Sequence, residues 1–155
     1  MTTYFDTSAI VPLYLPEVCS GRAHREVERV RQIPFTQLHA LELTSALQLN
    51  CGRGLISTTE LRAVQLQIED DIEAHRLQTT PVDLNEVFTA ATELARLHAA
   101  PLLCRSLDVL HVAAALHLHG RELVSAYDRQ LALAKAVGLD AVDLKKRASA
   151  SRRRR

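Results

Sequence analysis

Short strand-like segments alternate with longer helical segments along the chain, and this alternation constrains the fold more than any other feature. The expected strands are short and apolar: 3–5, 33–36, 77–82, 122–125 and 139–142. Helical segments separate them, in some places as pairs: 9–15, 17–32, 38–49, 57–72, 86–98, 106–118 and 128–137. The pattern predicts an α/β fold with a mainly parallel sheet that is covered by helices on both faces.

Several helix ends can be read from local residues. Ser57 and Glu60 have the spacing of a capping box, and Asp83 and Ser106 are expected to cap the helices that follow them. The double glycine at 52–54 predicts the end of one helix. Residues 101–105, which begin with a proline, are expected to form a loop.

Charge divides the chain into an acidic domain and a basic tail. The 155 residues have a net charge of +1, but seven basic residues follow Asp143, so residues 1–144 carry a net charge of −6. We expect a single domain at 1–143 and a basic tail at 144–155. Because aromatic residues make up only 4% of the chain, the core is expected to be aliphatic.

Cysteine content and the apolar segments indicate a cytoplasmic protein. The three cysteines are odd in number, and no two have a metal-ligand spacing, which is typical of a reduced compartment. The N-terminal residues lack the basic and apolar regions of a signal peptide. The apolar stretch at 109–118 contains two histidines and is too short to span a bilayer, so no membrane association is expected.

Three aspartates are expected to meet at one edge of the sheet. Asp6 directly follows the first expected strand, Asp128 follows the strand at 122–125, and Asp108 lies in the first turn of a helix. Functional groups of parallel sheets collect at the carboxyl ends of the strands. The alternative is that each aspartate only caps a helix or interacts with its dipole.

Glu42 lies on the apolar side of a helix, between Leu41 and Leu43. A carboxylate at such a position is costly unless it is paired or bound to a metal ion. The alternative is a residue at the border of the apolar stripe that reaches water along its own stem.

These four carboxylates would repel one another if they converged, and each would raise the pKa of the others. A hard divalent cation such as Mg²⁺ (or Mn²⁺) removes that conflict, because it prefers carboxylate and water oxygens and bridges to phosphates. It can also activate water and clamp a phosphodiester. The sequence therefore predicts a metal-dependent phosphodiester hydrolase.

Four sequence motifs resemble those of the PIN-domain ribonuclease toxins of bacterial type II toxin–antitoxin systems, the VapC family. The opening "YFDTSAIVPLYLPE" is similar to the first motif and places Asp6 as a ligand with Ser8 as a supporting hydroxyl. "TQLHALELTSAL" is similar to the helix with the family's Glu, here Glu42. "RSLDVLHVAAAL" and "ELVSAYDRQLALAKAVGL" correspond to the motifs that supply Asp108 and Asp128. The resemblance covers about residues 1–143.

The last motif departs from the family pattern, which commonly has Thr or Ser two residues before its Asp. Here the hydroxyl belongs to Ser125, three residues before Asp128, and Ser125 is taken as the supporting residue. Arg105 and Arg129 each lie next to or near a proposed acidic ligand. They are expected either to hold the RNA backbone or to pair with nearby carboxylates. His111 lies on the apolar face of its helix and is expected to be a hydrogen-bonded core histidine rather than a ligand.

The resemblance implies a three-layer α/β/α sandwich around a sheet of four to five strands. It also implies Mg²⁺- or Mn²⁺-dependent endonucleolytic cleavage of RNA, with tRNA or rRNA loops as expected substrates and metal-activated water as nucleophile. The expected partners are a cognate antitoxin, which inserts a basic side chain into the acidic site, and a second copy in a homodimer. A heterotetramer or larger assembly with antitoxin is also expected.

Two other functions are weighed against this one. The first is a catalytically inactive PIN-fold module that binds RNA or antitoxin for regulation, which the intact set of four carboxylates argues against. The second is a Mg²⁺-dependent phosphatase with an aspartyl nucleophile. That chemistry needs a second Asp two residues after the nucleophile, where this chain has Ser8.

Overall fold

The computed structural model describes residues 2–146. It contains five strands: β1 (Thr2–Phe5), β2 (Ile33–Phe35), β3 (Leu77–Thr79), β4 (Gly120–Ser125) and β5 (Asp140–Asp143). It contains seven α-helices: α1 (Thr7–Ile10), α2 (Ser20–Glu28), α3 (Gln37–Gly52), α4 (Thr58–Glu73), α5 (Leu84–Leu102), α6 (Ser106–His117) and α7 (Asp128–Ala136). A 3₁₀ turn, Val11–Leu13, continues α1.

All strand pairs are parallel, as the alternation predicted. The strands form two hydrogen-bonded groups, one in the order β1-β4-β5 and one pairing β2 with β3. β2 lies beside β1. The strand β2 has only three residues, and Pro34 at its centre lacks a backbone N–H donor. In the described structure β2 therefore forms its hydrogen-bonded ladder with β3 and not with β1. The predicted α/β fold with helices around a parallel sheet is confirmed.

Alternation of side chains along the strands builds a core on each face of the sheet. In β1, Tyr4 belongs to one buried cluster and Phe5 to the other, and in β4 Leu123 and Val124 divide in the same way. Successive residues of a strand point to opposite faces, so a fully apolar strand must be covered on both sides. The two clusters are therefore the two interfaces of a three-layer arrangement.

Several predicted boundaries are corrected by the structure. The helix α5 continues through Pro101 to Leu102, so the loop predicted at 101–105 begins only at Leu103, which has a left-handed φ of 54°. Ser106 is the first helical residue rather than the cap, because Arg105 is the extended residue before α6. The strand β3 ends at Thr79, just before the segment that contains Pro81, which lacks a backbone donor.

Other local predictions are confirmed. Ser57 and Glu60 form the capping box of α4, and the Asp83 carboxylate accepts hydrogen bonds at the start of α5. Packing continues beyond the expected end of the domain, since Leu144 is buried and its N–H donates to the Ser125 carbonyl at 3.0 Å. The arginines at 152–155 lie outside the described residues. Over residues 2–146, no helix has the length and apolarity needed to cross a membrane.

Candidate active site

Three of the four predicted carboxylates line one cavity. The cavity has a volume of about 610 Å³, and Glu42, Asp108 and Asp128 contribute to its wall from α3, α6 and α7. Asp6 immediately follows β1 and is fully buried, and it is not part of the cavity wall. One contact connects it with the cavity: the next residue, Thr7, donates a hydrogen bond to Glu42 in the cavity wall.

Asp6 is held by hydrogen bonds to both of its carboxylate oxygens. Ser8 Oγ donates to Oδ1 at 2.6 Å, and Ser125 Oγ donates to Oδ2 at 2.8 Å. The Ala9 N–H also donates to Oδ1, at 3.1 Å, so Asp6 caps α1 as the alternative interpretation predicted. Burial raises the pKa of Asp6, against the lowering effect of His111 and of the two serine hydroxyls. The two serines thus orient the carboxylate; their role in catalysis stays a prediction.

Glu42 belongs to a partly buried hydrogen-bonded chain. Thr7 Oγ1 donates to Glu42 Oε2 at 2.7 Å, and His111 Nε2 bonds the same oxygen. On the other side of the ring, His111 Nδ1 lies 2.9 Å from the Tyr4 hydroxyl. Burial opposes ionisation of Glu42, but the hydrogen bond and the electrostatic effect of His111, together with the hydrogen bond from Thr7, outweigh it and lower the pKa of Glu42. Glu42 is therefore a paired carboxylate, not one that simply reaches water.

His111 is buried and hydrogen-bonded, as expected, and it also lines the acidic cavity. The sequence held one signal for this second property: His111 follows Asp108 by three residues, so both project from the same side of α6. His39 lies against it, with ring centres 5.4 Å apart, and donates from Nε2 to the Phe5 carbonyl at 2.8 Å. Burial lowers the pKa of His39 to about 3, so this ring is neutral at pH 7.

The remaining two carboxylates form an open rim. Asp108 accepts a hydrogen bond from the Arg105 N–H at 2.8 Å, which also realises the capping interpretation for this residue. Asp128 is 79% exposed and pairs with Lys145, with Nζ 2.9 Å from Oδ1. Both aspartates lie in the first turn of a helix, where the dipole stabilises negative charge.

Both predicted RNA-binding arginines also lie at this cavity. Arg105 and Arg129 contribute to its wall, and Arg129 Nη1 donates to the Leu103 carbonyl at 3.3 Å. No ion pair among residues 2–146 involves either guanidinium. The alternative in which they pair with nearby carboxylates is therefore not realised within that range, and their positive charge remains available to an anion.

The donor set suits a hard cation in its chemistry, because it consists of carboxylate oxygens. Within residues 2–146, however, no three His, Cys, Asp or Glu side chains approach closely enough to form a ligand group. Protein partners occupy them instead: the serines at Asp6, His111 at Glu42 and Lys145 at Asp128. Lys145 contacts only Oδ1 of Asp128, so a cation that takes this oxygen would have to displace the ammonium.

Three further residues at the cavity were not anticipated. Tyr127 is about half exposed at the rim. Partial burial of its ring, then the charges of Asp6 and Glu42, raise its pKa, so the phenol stays protonated. Gln130 is buried, and its Nε2 has no hydrogen-bond partner in the described part of the chain. Lys145 belongs to the segment assigned to the tail, where only a charge run could have drawn attention to it.

Comparison with known proteins shows similarity in both sequence and fold. No protein-family model matches the chain. Its fold is similar to that of a chain in the crystal structure of FitAcB from Neisseria gonorrhoeae, with a TM-score of 0.65 and 13% identity over 92% of this chain and 98% of that one. Its sequence is 29% identical over 132 residues to Ribonuclease VapC3 of Pyrobaculum aerophilum, which is 85% of this chain and 93% of the relative. The resemblance to the VapC family that the four motifs indicated agrees with this sequence similarity.

Proposed function

We propose that this chain is the toxin of a type II toxin–antitoxin system and cleaves RNA as a divalent-cation-dependent endoribonuclease. One observation carries the proposal: three carboxylates from three helices line a single cavity, with a fourth buried behind them at the end of β1. The similarity to a protein named as a ribonuclease supports the same reaction. The expected substrates are exposed loops of tRNA or rRNA.

In this proposal Glu42, Asp108 and Asp128, with Asp6, hold Mg²⁺ or Mn²⁺. A bound cation would offset the mutual repulsion of the carboxylates and favour hydrolysis of a phosphodiester by water at neutral pH. The residues of the chain supply the rest. Ser8 and Ser125 fix the Asp6 carboxylate, and His111 and Thr7 fix Glu42, so that neither must reorient when the phosphate arrives.

Arg105 and Arg129 face the cavity and are proposed to hold the phosphates that flank the scissile one. In this step the oxygen of water would bond to the scissile phosphorus and the P–O3′ bond would break. A proton released by the water ends on the leaving 3′ oxygen, so the upstream fragment ends in a 3′-hydroxyl and the downstream fragment begins with a 5′-phosphate. This route does not use the 2′-hydroxyl. Substrate preference must therefore arise from the shape of the RNA rather than from the nucleophile.

The proposed partners are a cognate antitoxin and a second copy of the chain. An antitoxin side chain with a positive charge would complement Glu42, Asp108 and Asp128 and would compete with the cation. A homodimer, and a heterotetramer or larger assembly with antitoxin, follow from the resemblance and are part of the proposal. We place this system in the cytoplasm because the three cysteines are free thiols.

A regulatory module without catalysis is the second candidate. One observation favours it: within residues 2–146 the acidic side chains do not form a ligand group, and Lys145 occupies Asp128. Such a protein would bind RNA or antitoxin and leave RNA intact.

The deciding experiment incubates purified, antitoxin-free protein with total cellular RNA in Mg²⁺, in Mn²⁺ and in EDTA. Asp6→Asn is the test variant, and Glu69→Gln, an exposed change on α4, is the matched control. Discrete fragments are expected with metal for the wild type and the control only. Fragments that persist in EDTA and in Asp6→Asn would refute the carboxylate site. Intact RNA together with no calorimetric binding of Mn²⁺ would support the regulatory module.

A further inference from the structure

A basic groove adjoins the acidic cavity on the side of the C-terminal residues. Its volume is about 810 Å³, and α2 and residues 144–146 form much of its wall. The charged side chains of this wall are four cations and one carboxylate: Arg22, Arg25, Lys145, Lys146 and Glu17. The surrounding domain is acidic, with a net charge of −6 over residues 1–144, so this concentration of positive charge is a local exception.

The groove lies directly beside the active-site cavity. Lys145 lines both spaces, and its ammonium pairs with Asp128 at the cavity rim. A third, smaller hollow of about 470 Å³ has three cations and two carboxylates in its wall: Arg22, Lys135, Lys146, Asp128 and Asp143. The cations therefore extend from the acidic rim along one side of the molecule, with Lys145 at the junction.

Within the described part of the chain, two of the four cations of the groove are not paired with carboxylates. Among residues 2–146, neither Arg25 nor Lys146 takes part in an ion pair. Arg22 contacts Glu26 at 3.5 Å and also donates to the Lys146 carbonyl, which joins α2 to the C-terminal segment. Cations held close together repel one another unless an anion lies between them. The groove is thus suited to a polyanion.

The chemistry of the wall indicates which part of a polyanion it contacts. Beside the charged residues, the described wall consists of small and aliphatic side chains, with no aromatic ring on which a base could stack. Lysine and arginine without stacking partners bind phosphates and do not read sequence. The sequence continues past Lys146 with five more arginines, at 147 and 152–155.

We infer that this groove holds the sugar–phosphate backbone of the RNA on one side of the scissile phosphate. The inference rests on the proposed function, and it assigns the path by which RNA reaches the acidic cavity. RNA in the groove engages Arg25, Lys146 and Lys145, and the contact with Lys145 draws that ammonium from Asp128. Substrate binding and the release of Asp128 are coupled in this way. Binding along the groove is independent of sequence and weakens with salt.

The test measures RNA affinity without cleavage. A fluorescein-labelled single-stranded RNA is titrated with the full chain in EDTA, and anisotropy is recorded at several salt concentrations. The groove variant is Arg25→Glu with Lys146→Glu. The matched control is Arg53→Glu with Arg62→Glu, an equal change in net charge at exposed positions at the end of α3 and on α4.

The groove variant is expected to lose at least about tenfold in affinity, since two charge-assisted contacts are reversed. The slope of log K against log salt should fall by about 1 to 2. The control should keep its affinity within about twofold of the wild type and its slope unchanged. The proposed role of the groove would be overturned if the two variants had equal RNA affinity and salt dependence. It would also be overturned if RNA binding by the wild type were too weak to measure. Groove-dependent binding by a wild type that cleaves no RNA in metal would refute the proposed function and leave the groove intact.

Discussion

The inner and outer parts of the acidic site are held in different ways. Asp6 and Glu42 are fixed by short side-chain hydrogen bonds within the fold, from Ser8, Ser125 and Thr7. Asp108 and Asp128 lie at the rim, where a backbone N–H and one exposed lysine are their contacts. Exposed ion pairs contribute little to stability, so the rim can rearrange at small cost.

The inner part of the site, with Asp6 and Glu42, is therefore preorganised, and the outer part is not. The inner carboxylates keep one orientation whether or not ligands are present, because moving them would leave buried hydroxyls without partners. The outer carboxylates are less constrained. Asp128 can exchange the Lys145 ammonium for another cation, including one that arrives with the phosphate of the RNA. Changes to inner residues should therefore affect stability and activity together, and changes at the rim should affect activity alone.

The largest expected effect follows from Asp6→Asn. Removing the charge should reduce RNA cleavage at least about 100-fold, because several kcal/mol of transition-state stabilisation depend on the carboxylates. The free energy of unfolding at pH 7 should change by less than about 2 kcal/mol, because two effects oppose each other. Burial disfavours the charge that the substitution removes, but the Asn amide nitrogen cannot accept the hydrogen bond that a serine hydroxyl donates to the carboxylate. Urea titration beside the cleavage assay measures both. A variant that is inactive because it is unfolded would contradict this prediction.

His111→Leu should have the next largest effect. The Tyr4 hydroxyl and Glu42 would each lose a hydrogen bond, and the free energy of unfolding should fall by roughly 2 to 3 kcal/mol. Cleavage should fall about 10- to 100-fold, as for other partners that orient a ligand. His117→Leu, at the end of the same helix, is the control. A loss of stability without any loss of activity in folded His111→Leu would remove His111 from the site.

A pH-dependent loss of stability should come from His39. Its pKa is about 3 in the fold and near 6.5 when unfolded, so the unfolded state binds the proton first as the pH falls. Stability from this residue is complete above about pH 6.5 and should have decreased by roughly 2 to 3 kcal/mol at pH 4.5. Urea titrations of the wild type and His39→Gln at pH 7 and 4.5 isolate the effect. An equal loss of stability in both proteins between pH 7 and pH 4.5 would show that the fold does not lower the pKa of His39.

The smallest expected effect on stability belongs to Lys145→Ala at the rim. Both members of its ion pair are more than half exposed, so the free energy of unfolding should change by less than about 0.5 kcal/mol. The KM for RNA should rise several-fold because a phosphate contact is lost, with kcat little affected. Arg96→Ala, which removes a similarly exposed pair with Glu93, should leave both kinetic constants unchanged.

Local features of the sequence predicted much of the fold. The capping box at Ser57 could be predicted because it depends on a few neighbouring residues. The parallel strands, and the positions of Asp6 and Asp128 after two of them, could be predicted because functional groups of parallel sheets collect at the carboxyl ends of the strands. The continuation of α5 through Pro101 was not predicted, because a proline usually marks a helix boundary and tertiary packing decided otherwise.

The partners of Glu42 were beyond sequence reasoning, whereas Ser8 and Ser125 were expected as supporting hydroxyls. The chain from Tyr4 through His111 to Glu42 joins residues from β1, α6 and α3, and no spacing along the sequence encodes such a contact. The contact of Ser125 with Asp6 could not be predicted from spacing along the sequence either. Its distance from Asp128 along the chain departs from the family pattern, yet the parallel pairing of β1 and β4 brings its hydroxyl to Asp6.

The most direct test of the account asks whether the inner and outer carboxylates act as one site. The rate of cleavage of a defined RNA in Mg²⁺ would be measured for Asp6→Asn, Asp128→Asn and the double variant, each checked for folding. Residues that act as a unit have strongly non-additive effects. The account predicts that each single change abolishes most activity and that the double variant is no slower than the slower single one. Losses that multiply, or an Asp128→Asn variant with wild-type activity, would contradict it.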